Sequence, residues 1–377
     1  MNKQFSLYLD LIRFFAAILV VISHSNARYI STEKIPFAEH GHIAVMIFFV
    51  LSGFVISFIT DVKENRFSLY WSSRISRIYS VALPAILLVP LIDIFGSNIS
   101  QNPAIYDNVA FDPAIIRFIA SLFFLNETWF LSIMSFSNTP FWSLCYEVSY
   151  YLIFSFIIFL KPSIRWWAVG IFCLLIGPKI LLLFPVWLYG VYLYRSTLLN
   201  KINQRLGWIL FLTSTGLIIL WEYLGITSQI SDWLKEIIGK DAHTYLAFSR
   251  YFIGDWFIGL LVLANFAGFR AIAPAFAKIF NPFESPIRFF ASYTLTIYLF
   301  HQPLLLLFSA LINGDPETSS FYWITLAATL FTSFIIGSLT EIKREKFRYW
   351  LRQKLMNFEE KSTLMAKILI RENSCKG

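Results

Sequence analysis

The chain has 377 residues, of which 57% are hydrophobic, 19% aromatic and only 14% charged, with 40 Phe and a mean hydropathy of +0.62. Soluble domains run to about 45–50% apolar and about 25% charged residues, so this composition excludes a soluble globular enzyme, a disordered chain, a fibrous repeat and a secreted disulfide scaffold, and describes a protein that crosses a membrane many times. The net charge of +8 gathers in stretches that adjoin apolar runs, at 63–77, 195–205 and 343–377; such placement marks cytoplasmic loops and argues against nucleic acid as the partner of the basic surplus.

A helical span needs about 20 apolar residues. In chain order, apolar runs fall at 7–25, 41–60, 79–96, 141–160, 165–195, 207–226, 248–268, 288–311 and 320–341. The run 165–195 is too long for one crossing and holds Gly177-Pro178, which ends a helix; a hairpin of two spans is expected there, for about ten spans in all. The stretch 115–134 carries Arg117, Asn126 and Glu127 and is open between a span, a re-entrant segment and an interfacial helix. If it does not cross, Lys161, Arg165 and both chain ends lie in the cytoplasm, as the positive-inside rule prefers. The expected fold is therefore all-α: a polytopic transmembrane helical bundle, both termini cytoplasmic, with one membrane domain over 1–342 and a tail over 343–377.

That tail holds ten Lys/Arg against four Glu. Phe347, Trp350, Leu351, Leu355 and Met356 recur in it at helical spacing, the pattern of an amphipathic helix on an anionic leaflet. Lys3, the apolar run 14–22 and Ser25-Asn26-Ala27 resemble a signal peptide, but Asp10 and Arg13 interrupt its approach, so the segment is expected to stay. The three cysteines, Cys145, Cys173 and Cys375, have no C-x-x-C spacing and are read as inert, with no disulfide or metal site.

The chemistry-bearing residues begin in the first run. At 3.6 residues per turn, the step from Arg13 to His24 is close to three whole turns, so both lie on one helix face, about 16 Å apart along the axis. Asp10 sits at i−3 from Arg13 and can pair with it. A charge at mid-span costs about 2.5–3.5 kcal/mol on insertion scales, so this face either looks into a polar cavity or snorkels at the interface. Ser52-Gly53 in the second run lets a neighbouring helix or a ligand approach closely. Arg74 and Arg77, at i and i+3, either anchor the third span or fork onto phosphate oxygens. Glu147, shortly after Trp142-Ser143-Leu144, is an ionisable group entering a membrane helix and a functional candidate for that reason. His301, beside Pro303 in a long apolar run, is open between a hydrogen-bonded structural role and a catalytic one.

With these motifs in this order, the chain resembles the acyltransferase-3 family of integral membrane acyltransferases. Leu9-Asp10-Leu11-Ile12-Arg13 through His24 fits the family's basic residue, ten-residue gap and histidine. Phe48-Phe49-Val50-Leu51-Ser52-Gly53-Phe54 fits its Phe-Phe-x-x-Ser-Gly-aromatic motif, Arg74 and Arg77 its Arg-x-x-Arg pair, and Trp142-Ser143-Leu144 with Glu147 its Trp-Ser-Leu…Glu segment. The later half fits by span count and by Tyr298…His301-x-Pro303. Where the family often shows Glu-x-Pro after its last span, this chain reads Glu341-Ile342-Lys343. Many members carry a C-terminal extracytoplasmic hydrolase-like domain; none is expected here, about 35 residues from the last span.

The resemblance implies O-acylation, usually O-acetylation, of a cell-surface or lipid-linked glycan at the bacterial inner membrane, with acyl-CoA as donor substrate and no permanently bound cofactor. On that chemistry the catalytic set is His24 as general base, Glu147 orienting its imidazole or shuttling the proton, and Arg13 lining the cavity and guiding the acyl-carrying arm, with Arg74 and Arg77 on the CoA phosphates, Ser52 and Gly53 along the passage, and Asp10, His301 and Trp142 in support. Two other classes use similar features. A transporter or flippase of glycan intermediates needs intramembrane charges and broken helices, and a polyprenyl-phosphate glycosyltransferase needs clustered acids, for which Asp107 and Asp112 are the available pair.

Overall fold

A computed structural model describes residues 1–374, with side chains described as far as residue 361. Helices and short turns make up the chain, and there is no β-strand among the described residues. The first three helices are α1 (Lys3–Ser25), α2 (Gly41–Val62) and α3 (Phe67–Ile99). Asn2 caps α1 by accepting from the Gln4 amide at 2.8 Å. At 33 residues α3 is about 50 Å long, more than a bilayer core requires.

The open stretch near residue 120 resolves into α4 (Ala114–Leu122), nine residues long. A rise of about 1.5 Å per residue makes it far too short to cross. The loop after it folds onto α5 (Trp142–Phe159), α6 (Pro162–Ile176) and α7 (Pro178–Arg195). The expected break at Gly177-Pro178 is there: Gly177 adopts φ +83°, and an added Cβ would strike Trp129 at 3.0 Å. Trp129 closes the turn by donating its amide to Ile176 O (3.1 Å) and its indole to Leu174 O (2.6 Å). In the same loop Glu127 accepts from Lys179 Nζ at 3.2 Å, both side chains 1% exposed, and Lys179 also donates to Leu131 O.

The chain continues through α8 (Gln204–Tyr223), α9 (Ile226–Ile238), α10 (Lys240–Tyr245), α11 (Phe252–Ile272), α12 (Ala277–Phe280), α13 (Glu284–Ala291), α14 (Thr294–Ile312), α15 (Ser319–Leu339) and α16 (Arg344–Ser374). Eight helical segments are long and apolar enough to cross a membrane, and the α6–α7 hairpin occupies the stretch read as two further crossings. Outward-facing Leu91, Phe95, Trp166, Trp167, Leu174 and Ile219 give the bundle an apolar exterior suited to lipid. The protein is an all-α, multi-pass membrane protein.

One expected run is divided. Residues 288–311 form two helices, because the chain turns at Ser292-Tyr293. The Ala291 carbonyl at this break is not orphaned: it accepts from Thr294 Oγ1 at 2.8 Å and from Arg13 at 3.2 Å. The His24 ring lies 5.1 Å from that of His301. With Arg13 near residue 291 and His24 near residue 301, α1 and α14 run parallel.

Helices α2 and α7 cross at backbone contact. A Cβ on Gly53 would lie 2.0 Å from Trp187 O, and one on Gly190 would lie 1.9 Å from Val50 O. With only hydrogens at the crossing, backbones approach closely enough for dispersion and weak polar contacts to hold the helices, the usual substitute for hydrophobic driving force in lipid. Around this crossing pack Phe49, Phe54, Tyr146, Tyr150, Tyr151 and Trp187, all nearly inaccessible.

Gly190→Ala is expected to lower stability by about 1–3 kcal/mol through overpacking, read as a fall in the thermal midpoint of the purified protein. Lys179→Met, which leaves Glu127 buried without its cation, should cost about 3–5 kcal/mol. The double variant with Glu127→Gln should recover much of that loss; equal losses in single and double variants would rule out the ion pair as the cause.

Candidate functional site

A cavity of about 280 Å³ lies among α1, α2, α3, α5, α14 and the start of α16. Its charged lining comprises Asp10, Glu147 and Glu341 against Arg13, Arg77, Arg288 and Arg344, so four guanidinia face three carboxylates. Apolar side chains, among them Phe48, Phe49 and Leu144, form the rest of the wall. Such charges deep among membrane helices persist only where they pair or meet water.

Several of these charges are held by partners. Asp10 accepts from Arg13 at 2.8 Å within α1 and from Arg288 at 3.2 Å on α13. Arg13 is thus held by a carboxylate and by the Ala291 carbonyl, while its Nε is buried and unpartnered. Glu147 projects from α5, and one of its oxygens accepts from Ser52 Oγ at 2.6 Å and from Tyr151 OH at 2.5 Å. Ser52 in turn accepts from the Trp187 indole at 3.2 Å. Because Ser52 precedes Gly53, the close α2–α7 crossing fixes the Ser52 hydroxyl and, through it, Glu147. Tyr298 lines the cavity from α14 and hydrogen-bonds Ser143 at 2.8 Å.

The two histidines stand next to the cavity. His301 lies three residues beyond Tyr298 on α14, its ring 6.3 Å from the tyrosine ring, and is fully buried. Its Nδ1 is 3.0 Å from Ile297 O, which can only accept, so in the neutral ring Nδ1 carries the proton and Nε2 keeps its lone pair. That Nε2 is buried without a partner. His24 faces this ring from α1.

Of the residues singled out from sequence, Asp10, Arg13, Ser52, Glu147 and Arg77 come together around one cavity. His24 and His301 come together beside it. Glu147 meets Ser52 and Tyr151, and no hydrogen bond joins it to His24 among the described residues. Gly53 faces the α7 backbone. Trp142 is buried, stacked on Phe248 with ring centroids 4.5 Å apart. Arg74 is 2% exposed, pairs with Glu64 at 2.5 Å and lies over the Tyr70 ring.

Other residues were given no role by the sequence reading. Glu341 is buried and accepts from the Thr296 amide at 3.0 Å and hydroxyl at 2.8 Å, so it caps the first turn of α14 from the far end of α15. A carboxylate next to the last span was visible in the sequence, but its partner 45 residues upstream was not. At the other end of α2, His40 pairs with Glu222 at 2.8 Å and His42 with Asp255 at 2.7 Å, around a separate cavity of about 310 Å³. Neither histidine belongs to a motif by spacing.

Compared with known proteins, residues 6–338 match the acyltransferase-3 model, an acyltransferase domain. The chain is 24% identical over 372 residues to the peptidoglycan O-acetyltransferase OatA of Listeria monocytogenes, covering 90% of this chain and 55% of that protein. It is 24% identical over 322 residues to the O-acetyltransferase OatA of Staphylococcus aureus, covering 79% of this chain and 50% of that protein. Identity to the acyltransferase MdmB of Streptomyces mycarofaciens is 29% over 171 residues, 42% of either chain. The chain spans about half the length of the curated relatives it matches. No solved structure matches it.

Glu341→Ala removes the remote cap and orphans the Thr296 amide; a loss of about 1–2 kcal/mol is expected, measured by thermal unfolding in detergent. Glu341→Gln, which keeps an acceptor oxygen, should lose less than half of that.

Proposed function

This chain belongs to the acyltransferase-3 family, and on that premise we propose that it transfers an acyl group, acetyl in the simplest case, from acyl-CoA to a hydroxyl of a cell-surface or lipid-linked glycan at the bacterial inner membrane. The observation that carries the reading is the polar cavity enclosed by membrane helices, in which a guanidinium and a carboxylate are held in place beside two imidazoles. The Listeria relative's name, a peptidoglycan O-acetyltransferase, favours a glycan as acceptor.

The chemistry asks for few parts. A thioester is an activated acyl donor, whereas a sugar hydroxyl is a weak nucleophile until a base takes its proton. His24 is the proposed base; imidazole starts near pKa 6.5, suited to proton transfer near neutrality. The hydroxyl oxygen attacks the thioester carbonyl, His24 receives the proton, and the tetrahedral oxyanion forms. Arg13, held by Asp10 and the Ala291 carbonyl about 16 Å from His24 along α1, lines the passage and guides the donor's acyl-carrying arm. Collapse breaks the carbon–sulfur bond, and the proton on His24 passes to the departing CoA thiolate, giving ester and CoA thiol.

His301 contributes a fixed tautomer: with its Nδ1 proton committed to Ile297 O, its Nε2 presents a lone pair near the His24 ring. Glu147 holds Ser52 and Tyr151 in a polar wall along which the donor's arm passes. Arg77, with no carboxylate within ion-pair distance among the described residues, receives the donor's phosphates at the basic end, where α1 begins and α2 ends, while Arg74 stays in its buried pair with Glu64. Positive residues at that end favour the cytoplasmic side, where acyl-CoA is made. Direct transfer within a ternary complex requires no group beyond these.

His24→Ala is expected to lower transfer of labelled acetyl from acetyl-CoA, in isolated membranes supplied with acceptor glycan, by about 10²–10⁴-fold. Undiminished transfer at normal protein levels would remove His24 from the role of base.

A further inference from the structure

Beside the central cavity lies a second one of about 390 Å³, between α3 and α16. Its charged lining is Lys63, Arg74, Arg77, Arg344, Arg348 and Arg352 against Glu64 alone. Glu64 is already taken by Arg74, and Arg348 leans on Glu345 at 3.0 Å, a residue outside the lining. Lys63, Arg77, Arg344 and Arg352 have no carboxylate within ion-pair distance among the described residues. The α3 face adds Ser72, Ser73 and Ser76, short hydroxyls suited to hydrogen-bonding an anion.

The arrangement is self-repelling. Arg344, Arg348 and Arg352 stand at i, i+4 and i+8, one stripe about 12 Å long on α16, and like charges at that spacing destabilise a helix. The stripe lines the cleft opposite Arg77 and Lys63, with Arg348 and Arg352 at its solvent-exposed end. An anion with several charges spread along the cleft removes the repulsion, and guanidinium forks suit phosphate oxygens better than any other common group. The two cavities also share Arg77 and Arg344. A ligand anchored here by phosphates can therefore reach past those two arginines to Glu147 and Tyr298 with a long uncharged arm.

We propose that α16 is the outer wall of the donor site, that Arg348 and Arg352 with Arg77 and Arg344 grip the 3′-phosphate and diphosphate of CoA, and that the enzyme is thereby selective for acyl-CoA over acyl-pantetheine carriers that lack the nucleotide. The proposal rests on the acyltransferase reading and adds to it a donor-specificity element in the segment after the last span. Arg74 then acts at second hand, its buried ion pair with Glu64 keeping that carboxylate from competing for the cleft.

The test uses the purified full chain in zwitterionic detergent, comparing wild type with Arg348→Gln and Arg352→Gln, both exposed positions whose loss should leave the gel-filtration peak unchanged. Each variant should raise the apparent KM for acetyl-CoA by about tenfold, as expected for one charge-assisted contact, with kcat within about twofold. The KM for acetyl-pantetheine should not move. An unchanged acetyl-CoA KM in both variants overturns the proposal. Calorimetric binding of CoA itself separates this inference from the one beneath it: weakened CoA binding in the variants supports the donor cleft even if no acyl transfer is detected. A third arm uses vesicles of phosphatidylcholine with and without phosphatidylglycerol. Variants that lose affinity for the anionic vesicles while binding CoA normally assign the cleft to lipid headgroups and also overturn the proposal.

Discussion

The cavity is organised by the Asp10 carboxylate. It ties Arg13 on its own helix at 2.8 Å and Arg288 on α13 at 3.2 Å, and so fixes where the broken stretch between α13 and α14 lies against α1. An isolated guanidinium among membrane helices is expensive, so Arg13 persists because Asp10 and the Ala291 carbonyl meet it. The reverse also holds: the turn at Ser292-Tyr293 exposes a carbonyl that Arg13 satisfies. Charge and chain break are two halves of one arrangement, and the parallel course of α1 and α14 that brings His24 to His301 follows from it.

A second constraint is steric. The contact of α2 with α7 leaves no room for a side chain at Gly53 or Gly190, and Ser52 is placed by that contact. Three hydrogen-bonding groups, from Glu147, Tyr151 and Trp187, converge on its hydroxyl. The small-residue pair that looks like plain packing in the sequence is plain packing at Gly53, yet it decides the position of a polar wall. Packing and polarity are carried by adjacent residues with different duties.

Much of the fold was legible because membrane spans announce themselves by length and hydrophobicity, which are local properties. The break at Gly177-Pro178 was equally local, and α6 and α7 end and begin there. The stretch near residue 120 was ambiguous because polar Arg117 and Glu127 lie close to apolar segments, and only the loop's fold onto Lys179 shows that it turns back. The division at Ser292 was not legible, since no proline or glycine marks it and its support comes from Arg13, far away in sequence. Around the site, Asp10 with Arg13 was readable as an i, i+3 pair within one helix. The Ser52 partner of Glu147 and the Thr296 partner of Glu341 were not, because each lies on another helix, and Arg74 meets Glu64 in the loop before its own helix; spacing along the chain carries no information about these contacts.

The cavity at the far end of α2 has a bearing on permeability. Val45 lines the central cavity and Met46 the distant one, so adjacent residues of a single helix look into separate chambers. Phe49, buried on the same helix, lines the central cavity beside Val45, so the wall between the two chambers is built in part from apolar α2 side chains. For the transfer proposed above, with a donor from one side and a glycan from the other, such a wall would have a second duty: denying passage to ions and protons.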